Sequence, residues 1–227
     1  LRSLEATTMM NGDGFGLGWY GTPREPGIFR EVRPAWSDDN LQNLSRHIRS
    51  HLFFAHVRAA TATPVMRPNC HPFSYDRWMF MHNGYIGDWH RLRRRVEALI
   101  PDEYYASRAG TTDSEAIFLA MMAAGVEDDP IGAAATVLGK LKAMMSGNEP
   151  SRMLRFTAAL SDGQNIYAFR YAVKDSANTL YYRSNSDGTV LASEPLDDDR
   201  ARWTAVAENS VVIAKASEPI SIRPFNP

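Results

Sequence analysis

Hydrophobic positions along this chain alternate, then recur at helical spacing, then alternate again. Gly16-Leu17-Gly18-Trp19-Tyr20 reads as a strand, and Ile28 to Val32 as a second that pairs with it across a Pro/Gly-rich turn. Asp38 or Asp39 is placed to cap a helix in which Leu41, Leu44 and Ile48 form an i, i+3, i+7 stripe. Two apolar runs follow, Leu52 to Ala55 and Trp78 to Met81, each with the length of a buried strand. His56 and Arg58 fall where the first should end, and His82-Asn83-Gly84 where the second should end.

The middle of the chain is helical. Trp89, Leu92, Val96 and Leu99 mark a helix that stops at Pro101. Thr112-Asp113-Ser114-Glu115 has the form of a capping box, with Thr112 at the N-cap and Glu115 at N3. It opens a helix through Ile117, Phe118 and Met121, and a further helix runs from Ile131 to about Met145. From Arg155 the period returns to two. Strands are expected at Phe156 to Leu160, Ile166 to Tyr171, Leu180 to Arg183 and Val190 to Ser193, with Asp162-Gly163 and Asp187-Gly188 as hairpin turns. Val211 to Ala214 and Ile220 to Ile222 complete the set. Strands, then helices, then strands, with no β-α-β alternation, predict a largely antiparallel α+β layered fold over residues 1–227 as one domain.

Composition narrows the function classes. The net charge of −1 offers no global attraction to nucleic acid or an anionic membrane. The basic run Arg91-Leu92-Arg93-Arg94-Arg95 lacks interleaved aromatic residues and reads as a solvated helix face. No apolar run approaches the roughly 20 residues of a membrane span. Cys70 is the one cysteine, so an internal disulfide and a thiolate zinc cluster are both excluded, and a reducing, cytoplasmic setting is expected. The glycines at 12, 14, 16 and 18 lack the final x-x-G of a dinucleotide loop and the lysine of a phosphate loop. They suit a place where backbone approaches backbone or ligand closely. No cofactor or metal is implied. His56, His71 and His82 flank apolar runs and read either as metal ligands or as structural histidines.

Three features carry candidate chemistry. Arg58 offers a planar fork for a carboxylate, or else a structural ion pair. Asn83-Gly84 offers a side-chain NH₂ and a backbone N–H, which together suit an oxyanion, or else forms a simple turn. Asp113, in the first turn of a helix, is favoured there by the macrodipole and could also take an ammonium. Together they describe a site for an amino acid whose side-chain carbonyl is attacked. A nucleophile is harder to find. Cys70 adjoins His71, but neighbouring side chains in extended backbone point apart, and no G-x-S-x-G motif occurs.

At these residues the chain resembles the glutaminase domain of class II glutamine amidotransferases, within the N-terminal-nucleophile hydrolases. The matching pieces are NGDGFGLGWY, AHVRAAT at Ala55–Thr61, NCHPF at Asn69–Phe73, FMHNG at Phe80–Gly84 and TTDSE at Thr111–Glu115, in that order. The late ASEPLD at Ala192–Asp197 and ENSVV at Glu208–Val212 look like the stand-alone subgroup, which includes γ-glutamyl hydrolases of thiol metabolism. The resemblance implies a four-layer αββα sandwich of two mainly antiparallel sheets. It implies that Arg58 holds the substrate α-carboxylate with Thr61 beside it, that Asp113 takes the α-ammonium, and that Asn83 and Gly84 form the oxyanion hole. It also implies attack by an N-terminal cysteine through a γ-glutamyl thioester. Position 1 here is Leu, so residues carrying the first core strand and the nucleophile are expected to precede it. Hydrolysis of glutamine or a γ-glutamyl compound, with or without a partner that accepts ammonia, is one reading. A non-catalytic amino-acid-binding or regulatory protein that keeps the clamp is the other.

Overall fold

The computed structural model describes residues 11–60, 63–146, 149–216 and 218–227. Among these residues the strands form three antiparallel sheets. The largest runs β12-β11-β7-β6-β5-β4, built from β4 (Phe73–Tyr75), β5 (Trp78–Ile86), β6 (Leu154–Ser161), β7 (Asn165–Val173), β11 (Ser210–Lys215) and β12 (Ser221–Pro224). A three-stranded sheet, β2-β1-β3, joins β1 (Phe15–Trp19), β2 (Gly27–Glu31) and β3 (Phe53–Val57). The expected α+β sandwich is therefore the architecture observed. A small third sheet adds to it: β8 (Tyr181–Asn185) and β9 (Gly188–Ala192) make the expected hairpin, and β10 (Thr204–Ala205) pairs with β8.

Each face of the large sheet has its own cover. On one face Phe80, Phe156 and Phe169 pack against α4 (Asp113–Ala123) and α5 (Pro130–Met144), in a core that includes Phe118, Leu138 and Leu141. The Phe80 and Phe118 rings stack with centroids 5.4 Å apart. On the other face Met79 and Ala159 meet Tyr20, Leu52 and Phe54. Tyr20 Oη fixes the two layers by donating to Ser161 O at 2.8 Å. The glycine run of β1 makes this stacking close. A Cβ on Gly16 would overlap the His71 carbonyl oxygen, so only glycine fits against that backbone.

The helices differ in how their sequence places them. In α2 (Trp89–Glu97) Leu92 and Val96 are buried while Arg91, Arg94 and Arg95 face outward, as the spacing predicts. Helix α4 is buried on all sides from Ser114 to Met122, which is why its apolar residues show no 3.6-residue stripe. A short helix α3 (Asp102–Tyr105) precedes it. Helix α1 (Asp39–His47) is capped as expected by Asp38, whose Oδ1 accepts from Leu41 N at 2.7 Å, but none of its residues is buried. The Leu41–Leu44 stripe therefore does not reach a core. No helix among the described residues is long and apolar enough to cross a membrane.

Candidate active site

Arg58 follows the last residue of β3 and is only 4% exposed. Its backbone locks onto the glycine segment: Arg58 N donates to Gly14 O at 2.8 Å and Asp13 N to Arg58 O at 3.0 Å. The guanidinium bonds to neutral acceptors. Nη2 donates to Thr63 Oγ1 at 2.7 Å and Pro64 O at 3.4 Å, and Nη1 to Asp13 O at 3.4 Å. Thr61, expected beside it, lies outside the described residues.

Asp113 is the first residue of α4. Its carboxylate is held at both oxygens, with Oδ2 accepting from Ile86 N at 2.7 Å and Oδ1 from Ser114 N at 2.8 Å. The capping box is only half formed. Thr112 Oγ1 accepts from Glu115 N at 3.2 Å, but the Glu115 carboxylate turns to the amides of Ala109 and Gly110, at 2.9 and 2.8 Å. It thereby pins the turn that leads into the helix. Among the described residues neither Arg58 nor Asp113 forms an ion pair.

Asn83 and Gly84 do not stand at a strand end. Strand β5 continues through them to Ile86, in register with β6 as far as Ile86↔Leu154. Ladder pairing with β6 overrides the turn preference of Asn-Gly. The position of Gly84 is nonetheless informative. Amides two residues apart in a strand point to the same side. Since Ile86 N points at Asp113, Gly84 N–H faces that same edge, beyond the reach of β4, which pairs only with Trp78 to Phe80. A Cβ on Gly84 would collide with Arg155 O, so the residue has to be glycine. Asn83 projects to the opposite face from His82 and is exposed, with Oδ1 accepting from Asn178 Nδ2 at 2.8 Å.

Asn69 ties these parts together. It is fully buried, and its Nδ2 donates at 2.9 Å to Pro64 O, the carbonyl that also accepts from Arg58. Its Oδ1 accepts from Thr111 N at 2.8 Å, two residues before Asp113. One side chain thus connects the loop on Arg58 with the entry to α4. Sequence reading singled out neither Asn69 nor Asn178 as a functional residue. Their partners lie 42 and 95 residues away, beyond any local pattern. Two surface depressions elsewhere, one lined by Asp129, Tyr167 and Lys215 and the other by Tyr20, Thr22 and His51, include none of the candidate residues.

The histidines pack between these elements. His82 Nε2 donates to Arg155 O at 3.0 Å, so the neutral ring accepts at Nδ1 from Ser114 Oγ at 2.9 Å. Burial, countered by the Asp113 charge, holds its pKa below the usual value. His56 and His71 lie against each other with ring centroids 4.2 Å apart and planes tilted by 37°, and burial lowers both pKa values, that of His56 from 6.5 to about 4. The Arg58 charge pushes His56 the same way. The unfolded chain then takes up protons that the native state refuses, so stability is complete above pH 6.5 and is lost as pH falls toward 4. For His56 the loss reaches about 3 kcal/mol. Urea midpoints measured from pH 7 to 4.5 should fall steeply for the parent and less steeply for His56→Gln. Equal slopes would remove His56 as a cause.

Cys70 is fully buried, with Sγ 3.5 Å from Glu31 O and 3.7 Å from Met66 O. Burial raises its thiol pKa, the reverse of what a nucleophile needs.

The large antiparallel sheet, stacked on the smaller sheet at one face and covered by α4 and α5 at the other, is a layered α+β architecture. Glutamine phosphoribosylpyrophosphate amidotransferase from Bacillus subtilis shares this fold, with a TM-score of 0.68 at 15% identity over 97% of this chain and 45% of that one. The family model for class-II glutamine amidotransferases matches residues 1–182, and the chain belongs to that family. It is thus an enzyme of the glutamine amidotransferase type, with a small-molecule substrate. A class-II domain protein from Silicibacter pomeroyi superposes with a TM-score of 0.81 at 40% identity, covering 95% of this chain and 92% of that one. The probable glutamine amidotransferase DUG3 of Saccharomyces cerevisiae is 32% identical over 93% of this chain and 72% of its own length. The γ-glutamyl-hercynylcysteine sulfoxide hydrolase of Mycolicibacterium smegmatis is 28% identical over 90% of this chain and 78% of its own.

Proposed function

We propose that residues 1–227 form one glutaminase domain that hydrolyses the γ-amide bond of glutamine or of a γ-glutamyl compound. The observation that carries this reading is a pair of opposite charges, Arg58 and Asp113, that have no ionic partner among the described residues, while Asn69 joins the loop that bonds Arg58 to the turn that leads into Asp113. An α-amino acid supplies both missing charges, a carboxylate for the guanidinium and an ammonium for the carboxylate. Gly84 N–H lies on the Asp113 edge of β5, and Asn83 adjoins it on the other face. Bound between them, the γ-carbonyl would meet two donors as its oxygen gains charge.

The chemistry follows from the acyl group. A thiolate adds to the carbonyl carbon of the γ-amide, the C–N bond breaks, and the amine leaves with the proton given up by the thiol. Water then opens the γ-glutamyl thioester and releases glutamate. Cys70 is unsuited to this, and the thiol is assigned to an N-terminal cysteine outside the 227 residues. The relatives that hydrolyse γ-glutamyl compounds support the hydrolytic reading over transfer of ammonia to a partner protein.

Release of glutamate from glutamine and from a panel of γ-glutamyl amides, assayed with the full-length protein, tests the proposal. Turnover of at least one panel member is expected, with a mass increment of one γ-glutamyl group on the N-terminal peptide after acid quench. A folded protein that binds these compounds and turns over none of them is the binder, not the hydrolase.

A further inference from the structure

We infer that Asn178 is a positioning residue that sets the orientation of the Asn83 amide, so that its NH₂ end and not its oxygen is turned toward the acyl centre. The inference rests on the proposed placement of Asn83 in the oxyanion hole. An asparagine amide has two ends of nearly equal shape and opposite hydrogen-bonding sense. Pointed the wrong way, Asn83 would set a lone pair against a developing negative charge.

The contacts determine both amides. One end of the Asn178 amide lies 3.1 Å from Asn83 O and 2.8 Å from the Asn83 side chain. A backbone carbonyl only accepts, so that end of Asn178 is Nδ2. The Asn83 atom facing the same NH₂ must then accept as well, and is Oδ1. This leaves Asn83 Nδ2 directed away from Asn178 and available to a ligand.

Asn178 is itself firmly seated. Its carbonyl oxygen accepts from Thr157 Oγ1 at 2.9 Å and from Arg170 Nε at 3.0 Å. Thr157 is the residue directly across the ladder from Asn83, so Asn178 is fixed to the strand pair that carries the amide it orients. The neighbouring Ala177 N donates to Glu208 Oε1 at 3.0 Å. Asp175 forms a two-point ion pair with Arg155, at 2.6 and 3.1 Å. The connection between β7 and β8 is thus anchored before and at Asn178.

Asn178→Asp and Asn178→Ala separate orientation from simple packing. Aspartate keeps the shape but only accepts. It should draw Asn83 Nδ2 toward itself and lower kcat by more than about 50-fold, approaching the loss for removal of an oxyanion donor. Alanine leaves the amide free to turn and should cost about 2- to 10-fold, since part of the population stays correctly oriented. KM should stay within about twofold in both. A packing role predicts the opposite order, with alanine the worse. The same substitutions in an Asn83→Ala background distinguish action through Asn83 from a direct effect of the new charge, because all further loss should vanish there. Wild-type kcat in Asn178→Asp, or an undiminished loss in that background, overturns the orientation role while leaving Asn83 in place. An Asn83→Ala enzyme with normal kcat overturns the oxyanion assignment, and this inference with it.

Discussion

Arg58→Ala should raise KM for the γ-glutamyl substrate at least about 30-fold, corresponding to the roughly 2–5 kcal/mol lost when one partner of a buried charge pair is truncated. The guanidinium is almost wholly shielded from water, so a substrate carboxylate bound there would be left unpaired by the substitution. The effect should fall on KM and much less on kcat, because the α-carboxylate does not change charge during the reaction. Arg58→Lys should be intermediate: it keeps the charge but loses the fork that also bonds Thr63, Pro64 and Asp13. Thermal unfolding of both variants separates a lost ligand contact from a collapsed loop. A folded Arg58→Ala protein with parental KM would remove the residue from the substrate site.

Asn83→Ala should lower kcat by roughly 10²–10³ with little change in KM. The split is the reverse of that for Arg58. The negative charge on the γ-carbonyl oxygen is fully developed only near the transition state, so the Asn83 donor acts there and not on bound substrate. Gly84 N–H remains in the variant, which is why some turnover should persist. Asn83 faces outward from the sheet, so its truncation makes no cavity and stability should change little. Asn83→Asp should be at least as damaging, since it substitutes a negative charge for the donor. Near-parental kcat in Asn83→Ala would contradict the role.

Much of the frame was readable from local chemistry. Asp38 caps α1, Thr112 caps α4, and the alternating segments after Arg155 do form hairpins. Arg58 falls just past β3, as its apolar run predicts. What the sequence concealed was long-range pairing. Asn83-Gly84 has the composition of a turn, and only its partners on β6 make it the continuation of a strand. Glu115 satisfies the capping motif by type but bonds Ala109 and Gly110, a choice made by the path of the preceding chain. Asn69 lies in the matching NCHPF segment and Asn178 in none, and neither role shows in the local pattern, because each acts on residues brought to it by the fold.

The placement of Asp113 on α4 has an effect on how durable each half of the proposed clamp would be. That helix is enclosed on every side, so its peptide groups can meet solvent only when the whole core opens. The acid at its head is therefore carried on a helix that the core encloses, whereas the Arg58 side chain takes its orientation from Asp13, Thr63 and Pro64, which lie outside helices and strands. Warming or mild denaturant should accordingly release the grip on the carboxylate of a bound amino acid well before the grip on its amine.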